Sequence, residues 1–260
     1  IYVSKNVNKG EKFSKNNLKV IRPAYGLHPK YYDQILGKLS KKKTQSWISS
    51  QKKPNQKLMR IILGSAQFGL RYGLKKTKIN KKEFQKIYKT LKYNSLTYFD
   101  TAINYGSSQK RIGTLNIKKK VITKIKVPTR KPKNLKKWYY QILFRTLKEL
   151  KVKKLYGLLF HDISDIFKND KKLLNIILKS KKMGLVSKVG ISVYDVNEIN
   201  QVLKIWKPDI VQLPINVFDH RLLKKNSIKR LKKKKIEIHV RSCFLQGLLL
   251  EPKLKRGNLN

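Results

Sequence analysis

The segment FDTAINYG, residues 99 to 106, places an acid and a tyrosine five positions apart where a run of β-branched and aromatic residues ends. A lysine follows in VITKIK and a histidine in LLFHD, each at the end of another apolar run. These residues are Asp100, Tyr105, Lys124 and His161. Each has an ordinary structural explanation when taken alone, but their shared position at strand ends favours a common chemical role.

That role is proton delivery during reduction of a carbonyl group. A buried lysine beside Tyr105 would favour the phenolate and lower the tyrosine pKa from about 10 towards working pH. Asp100 would compensate the lysine charge, and His161 would orient and polarise a carbonyl oxygen. These four residues include neither the nucleophile–base pair that acyl transfer needs nor the carboxylate pair that glycoside cleavage needs. We also expect no metal ion at this site. The residues therefore predict carbonyl reduction by hydride transfer.

The elements that must position these residues alternate between strand and helix from Leu58 onward. Short, nearly all-apolar strands separated by amphipathic helices indicate a parallel sheet under helices, and this order favours a (β/α)8 barrel. In such a barrel the carboxyl ends of the strands form the active-site rim. Only about seven units are present, so we expect an incomplete barrel without its eighth unit. The seven strand-like runs are LMRIILGSA, LTYFDTA, KVITKIK, LYGLLFHD, SKVGIS, DIVQLPI and IEIHVRS.

Helix starts within this region are marked by capping signals. Asn80 with Glu83 and Asp195 with Glu198 have the spacing of a capping box before an apolar helical run. In NLKKWYYQILFRTLKEL, apolar residues recur near helical spacing with lysines on the other side. These patterns predict helices after the first, third and fifth strands.

The domain organisation follows from composition. Residues 1–48 contain short β-type runs around a Lys-Gly-Glu turn, which predicts a small β-rich domain. Residues 49–57 are polar and include Pro54, as expected of a linker. The barrel region covers residues 58–260. Because the chain begins at Ile1 without Met, we expect a piece of a longer protein.

The charge of the chain is strongly positive, with 63 Lys and Arg against 14 Asp and Glu, a net charge of +49. A basic nucleic-acid-binding protein is one explanation. The even spread of lysines over the solvent sides of the helices favours compositional bias instead, so we expect no specific nucleic-acid partner. A single cysteine, Cys243, is typical of a reducing compartment, here the cytoplasm. No apolar run approaches 18 residues, so we expect no membrane partner.

The barrel region resembles the aldo/keto reductases in the order and content of six segments. The resemblance implies an NAD(P)H-dependent oxidoreductase in which the tyrosine is the general acid, the lysine and aspartate tune it, and the histidine orients the substrate. The family's catalytic tetrad maps onto Asp100, Tyr105, Lys124 and His161. One departure is Gln109, where the family usually has Glu. The segments are LGSAQFGLRYGL, FDTAINYGSSQKRIG, VITKIK, LLFHD, SKVGISVYD and RSCFLQGLLL.

The same resemblance implies cofactor-binding positions at Ser192, Gln212 and Ser242. The first belongs to a Ser-Asn pair that holds the nicotinamide carboxamide, but here Val193 follows it. Arg241 stands where many members place an aromatic residue under the nicotinamide ring. The segment that normally holds the adenosine phosphate is absent, although family usage favours NADPH over NADH.

Residues 1–48 contain the segments KGE, IRP, GLHP and GK in that order. In these segments the N-terminal region resembles the antifreeze-like SAF domain that ends sialic acid synthases and other nonulosonate synthases. The resemblance implies that Arg22 contacts an acylated amino sugar. It also implies that the domain caps the synthase barrel of a partner subunit, so a homodimer through this domain is one expected arrangement. The alternative for Arg22 is a simple pairing with a surface acid.

Together the two resemblances predict a fusion protein in surface-polysaccharide biosynthesis, with a synthase barrel expected upstream. Its activity would be reduction of a small-molecule aldehyde or ketone, such as a sugar intermediate, with NADPH. The alternative is an N-acetylneuraminate or nonulosonate synthase piece whose reductase-like extension is regulatory or inactive.

Overall fold

A computed structural model describes the chain as two compact units, Ile1–Arg60 and Ile61–Asn260. The predicted linker at 49–57 and the predicted sugar-binding Arg22 lie outside the described residues. The described residues are 1–20, 31–44, 60–167, 170–224 and 226–251.

The first unit is small and mostly irregular. Strand β1 (Tyr2–Val3) pairs antiparallel with β2 (Leu18–Lys19), and one short helix follows, α1 (Tyr32–Ile35). The predicted turn at Gly10 is present, with φ of 85°, a left-handed conformation that glycine adopts without steric cost. Buried Val7 pairs with Thr44 through an isolated antiparallel bridge.

The second unit is built on a seven-stranded parallel sheet in which each strand pairs with the next along the chain. Within the described residues β3 and β9 are its two edges. The sheet curls, because Gln212 on β8 reaches Asp100 on β4 and Glu237 on β9 reaches Tyr156 on β6. The prediction of an incomplete (β/α)8 barrel is therefore confirmed. The strands are β3 (Leu63–Gly64), β4 (Tyr98–Asp100), β5 (Lys120–Ile125), β6 (Leu155–Phe160), β7 (Val186–Ser192), β8 (Ile210–Pro214) and β9 (Glu237–Arg241).

Helices separate the strands, and none of those in the described residues is long and apolar enough to cross a membrane. The capping box at Asn80 and Glu83 forms with both of its hydrogen bonds. Asp195 also caps its helix, whereas Glu198 accepts from the backbone N–H of Tyr194 instead. The helices are α2 (Ala66–Gly69), α3 (Lys81–Tyr93), α4 (Ser108–Gly113), α5 (Leu135–Leu150), α6 (Ser164–Phe167), α7 (Lys172–Lys182), α8 (Val196–Ile205), α9 (Arg221–Lys224) and α10 (Ser227–Lys233).

The apolar core has two parts, one on each face of the sheet. The larger part lies between strands and helices and includes Phe99, Leu143 and Val189. The smaller part fills the barrel interior with Ile122, Leu159 and Ile210. Because successive strand residues point to opposite faces, the residues two positions on from an interior residue also face inward. Ile122 thereby places Lys124 above the interior core, at the carboxyl end of the barrel.

Candidate active site

A buried ion pair lies at the carboxyl end of the barrel. Lys124 Nζ lies 2.7 and 2.6 Å from the two carboxylate oxygens of Asp100, and it also donates to the carbonyl of Thr101 at 3.1 Å. The lysine side chain is only 2% exposed. Gln212 Nε2 donates to Asp100 Oδ1 at 3.0 Å. Asp100 therefore holds both a cation and an amide in fixed positions.

Tyr105 and His161 lie beside this ion pair. Their ring centroids are 6.2 Å apart in an edge-to-face arrangement. Lys124 Nζ lies 5.5 Å from the centroid of the tyrosine ring. The structure thus brings together the four residues that the sequence placed at one rim: an ion pair, a phenol and an imidazole.

The pKa of Tyr105 is raised, which is the opposite of the sequence-based expectation. Burial is the main cause, and the negative charge of Asp100 adds to it. The expectation was wrong because it left out the cost of burying a phenolate, and because the charge of Lys124 is neutralised by Asp100, which contacts it through both carboxylate oxygens. Tyr105 is therefore protonated at neutral pH, which is the state a proton donor requires.

His161 is neutral at pH 7. Burial, together with the charges of Lys124 and Lys126, lowers its pKa to about 4. Its backbone N–H donates to Ile125 at 2.9 Å, which fixes the residue at the end of β6. Its Nδ1 is buried without a hydrogen-bond partner in the described part of the chain. A neutral imidazole with an unused ring nitrogen can serve a polar ligand.

The loop that carries Tyr105 is held by close backbone contact with the loop after β3. A Cβ atom added at Gly69 would lie 1.7 Å from the Tyr105 carbonyl oxygen, and one at Gly106 would lie 2.7 Å from the Gly69 carbonyl oxygen. Gly106 also has φ of 54°, a conformation that side-chain-bearing residues rarely adopt. The glycines of LGSAQFG and NYG are therefore needed to set the position of Tyr105.

A hydroxyl network that the sequence did not reveal also fixes this loop. Ser108 Oγ lies 2.8 Å from Ser65 Oγ and 3.1 Å from Thr101 Oγ1, and all three residues are buried. Ser65 Oγ donates to the carbonyl of Asp100 at 2.8 Å. The network ties β3, β4 and α4 together under the ion pair. The only sequence signal for this network is the second serine of the YGSS motif, Ser108.

Gln109 takes no part in the rim. Its Nε2 donates to Thr123 at 2.9 Å, and its Oε1 accepts from Thr146 at 3.4 Å. It is 4% exposed. Glutamine in place of the family's usual glutamate is therefore a neutral, hydrogen-bonded side chain between α4, β5 and α5. A glutamate at this position would bury a charge.

Two of the three predicted cofactor positions lie side by side near the ion pair. Ser192 and Gln212 are partners in the register of β7 and β8, and both are buried. Gln212 Oε1 has no hydrogen-bond partner in the described residues. That acceptor fits the amide N–H₂ of a nicotinamide carboxamide, so the residues fit the group. Ser242 follows β9 with φ of 59°, and its Oγ accepts from Arg241 at 3.4 Å.

Val193 and Arg241, the other departures, contact each other. Val193 is fully buried, and its carbonyl oxygen accepts from an Arg241 guanidinium nitrogen at 3.3 Å. The guanidinium also lies 4.2 Å from the ring centroid of Tyr194, a contact that the sequence did not predict. Among the described residues no group of three or more His, Cys, Asp or Glu side chains could hold a metal ion.

Comparison with known families assigns both parts of the chain. The aldo/keto reductase family matches residues 60–260, and the SAF domain matches residues 1–45. The family match spans most of the chain, so the protein belongs to the aldo/keto reductase family, a family of oxidoreductases that use NAD(P)H. Its N-terminal region is a SAF domain.

Individual relatives agree with this division. The pseudaminic acid synthase of Campylobacter jejuni is 52% identical over 42 residues, which are 16% of this chain and 12% of that synthase. The holo form of an aldo/keto reductase from Bacillus halodurans is 17% identical with a TM-score of 0.60, covering 76% of this chain and 66% of that one. A Klebsiella pneumoniae aldo/keto reductase in complex with NADPH is 13% identical with a TM-score of 0.56, covering 75% and 67%. The structural likeness supports the fold.

Proposed function

We propose that the barrel unit reduces an aldehyde or ketone, such as a sugar intermediate, with Tyr105 as the general acid. The observation that carries the proposal is the convergence of a protonated Tyr105, a neutral His161 and the buried Lys124–Asp100 pair at one rim. A bound nicotinamide would supply the hydride to the carbonyl carbon. The residues of this chain supply the proton and hold the oxygen.

In this mechanism Tyr105 donates its phenolic proton to the oxygen as negative charge develops there. An alkoxide is a stronger base than a phenolate, so a tyrosine with a raised pKa still transfers its proton downhill. Once the proton has left, burial and the charge of Asp100 disfavour the phenolate, and the positive charge of Arg241 partly offsets them. His161 orients the substrate oxygen towards Tyr105, and Asp100 keeps Lys124 in place.

The cofactor would be held by Ser192, Gln212 and Ser242, with NADPH favoured over NADH. The free acceptor of Gln212 supports binding of the carboxamide. The complex of the Klebsiella relative with NADPH supports the choice of cofactor. The exposed free thiol of Cys243 supports a cytoplasmic location, where thiols stay reduced.

The test is a pair of measurements on the full chain. NADPH binding is followed by fluorescence, and aldehyde-dependent NADPH oxidation is followed in wild type and Tyr105→Phe. We expect Tyr105→Phe to keep cofactor binding and to lose about 10²- to 10⁴-fold in kcat, the usual contribution of a positioned acid. Tyr93→Phe, at a side chain 90% exposed, is the matched control. Unchanged activity in Tyr105→Phe would refute the mechanism, and absence of cofactor binding would refute the reductase itself.

A second candidate function belongs to the SAF domain. It is supported by the 52% sequence identity over 42 residues with the pseudaminic acid synthase. We propose that this domain is the lid of a nonulosonate synthase in surface-polysaccharide biosynthesis, with Arg22 at the amino sugar, a synthase barrel upstream and a homodimer through the domain. The barrel unit would then be its regulatory or inactive extension. Synthase activity that persists in Tyr105→Phe, without any NADPH oxidation, would support this alternative.

A further inference from the structure

Arg241 is a cation without a carboxylate partner in the described part of the chain. It ends β9 and shares a strand face with Glu237 and His239, two residues whose side chains lie in the barrel interior. Its guanidinium reaches past the end of β8 to the carbonyl of Val193 after β7. The side chain therefore crosses the barrel mouth on the same rim as Tyr105 and His161.

The charge of Arg241 acts on the groups proposed to handle the substrate oxygen. Burial is the largest influence on the pKa of Tyr105 and of His161, and the positive charge of Arg241 lowers the pKa of both. The same guanidinium therefore influences two groups that follow different strands, Tyr105 after β4 and His161 after β6. This places the cation within electrostatic range of the position where a carbonyl would bind.

The charges at the mouth do not balance. The carboxylate of Asp100 is committed to Lys124, and His161 is neutral at pH 7. Arg241 forms only neutral contacts within the described residues, with Val193, Ser242 and the ring of Tyr194. Its Nε is buried and has no hydrogen-bond acceptor there. A guanidinium presents paired N–H donors that match a carboxylate or phosphate, and no carboxylate of the described residues pairs with Arg241.

We propose that Arg241 binds the anionic group of the substrate and makes the enzyme selective for carbonyl compounds that carry a carboxylate or a phosphate. The proposal rests on the reductase function proposed above and adds the class of its substrate. Tyr194 would hold the guanidinium plane from one side, so that its donors face the ligand. The competing source of an anion at this position is a phosphate of the cofactor.

The test compares matched charged and neutral aldehydes in the full chain with NADPH. The pairs are succinic semialdehyde with butanal, and glyceraldehyde 3-phosphate with glyceraldehyde. We expect wild type to prefer a charged member, and Arg241→Gln to lower the charged-to-neutral ratio of kcat/KM about 10- to 100-fold, the range of a charge-assisted hydrogen bond. Arg241→Lys should lose part of the ratio, because it keeps the charge without the planar fork.

The control for overall charge is Arg145→Gln, which removes the same charge from an exposed position on α5 and should leave the ratio unchanged. Equal kcat/KM for charged and neutral members in wild type would overturn the proposal. A loss of NADPH affinity in Arg241→Gln with an unchanged ratio would overturn it too, by assigning Arg241 to the cofactor. Reduction of no aldehyde by wild type would instead refute the reductase function, and this inference with it.

Discussion

At the residue scale, Lys124 and Asp100 depend on each other for their burial. The lysine is 2% exposed, so removing either partner leaves a buried charge without compensation. We expect Lys124→Met to lower the free energy of unfolding by about 3 to 5 kcal/mol, and the double variant Lys124→Met/Asp100→Asn to recover part of that loss. Urea denaturation followed by circular dichroism measures both.

The control for this prediction is an ion pair of similar length at a more exposed site. Lys181 Nζ lies 2.6 Å from Asp209 Oδ2, with the two side chains 37% and 32% exposed. Lys181→Met should cost at most about 1 kcal/mol, because water already screens the pair. If the double variant at Lys124 and Asp100 is no more stable than Lys124→Met alone, then the uncompensated buried charge is not what destabilises Lys124→Met.

At the element scale, the glycine contacts between the loops after β3 and β4 decide where Tyr105 lies. We expect Gly69→Ala to force the loops apart, because its Cβ would overlap the Tyr105 carbonyl. The expected cost is about 1 to 3 kcal/mol in stability together with a loss of kcat, measured by thermal unfolding and by NADPH oxidation. Gly64→Ala, with open space around its Cβ, is the control for stability. Normal kcat in Gly69→Ala would show that the loop contact does not position Tyr105.

The elements also show what could be predicted from the sequence. Asp100, Lys124 and His161 could be placed on one rim because each ends an apolar strand, and parallel strands end at one edge. The pairing of Lys124 with Asp100 could be expected from burial, but its consequence for Tyr105 could not, since that depends on distances across the barrel. The Ser65–Ser108 contact joins residues 43 positions apart, and no local pattern encodes it.

At the scale of the whole molecule, the excess of basic residues makes each acid inside the barrel significant. Only 14 acids face 63 basic side chains, yet Glu237 is committed to a cluster inside the barrel. It accepts hydrogen bonds from Tyr156 at 2.9 and 3.0 Å and from His239 at 2.8 Å, and it pairs with Lys188. These partners lie on β6, β7 and β9, so the cluster joins strands across the curled sheet, far along each strand from the rim.

This cluster predicts how stability depends on pH. Burial alone would raise the pKa of Glu237, but the hydrogen bonds from His239, Lys188 and Tyr156 outweigh it and lower the pKa to about 2. A carboxyl with a lowered folded-state pKa stabilises the fold above its unfolded pKa of about 4.5 and loses that contribution as pH falls towards 2. Glu237→Gln should therefore reduce the free energy of unfolding at pH 7 by about 2 kcal/mol, after allowance for partial exposure.

The difference between wild type and Glu237→Gln should shrink as pH falls from about 4.5 to 2, where the wild-type carboxyl becomes protonated as well. Urea denaturation at a series of pH values measures this convergence. Glu149→Gln is the matched control, because its carboxylate forms no ion pair within the described residues. A difference that stays constant from pH 7 to pH 2 would show that Glu237 stabilises the barrel by packing and not by its charge. Convergence would show that the strands of this incomplete barrel are joined in its interior by a charged cluster as well as by their apolar core.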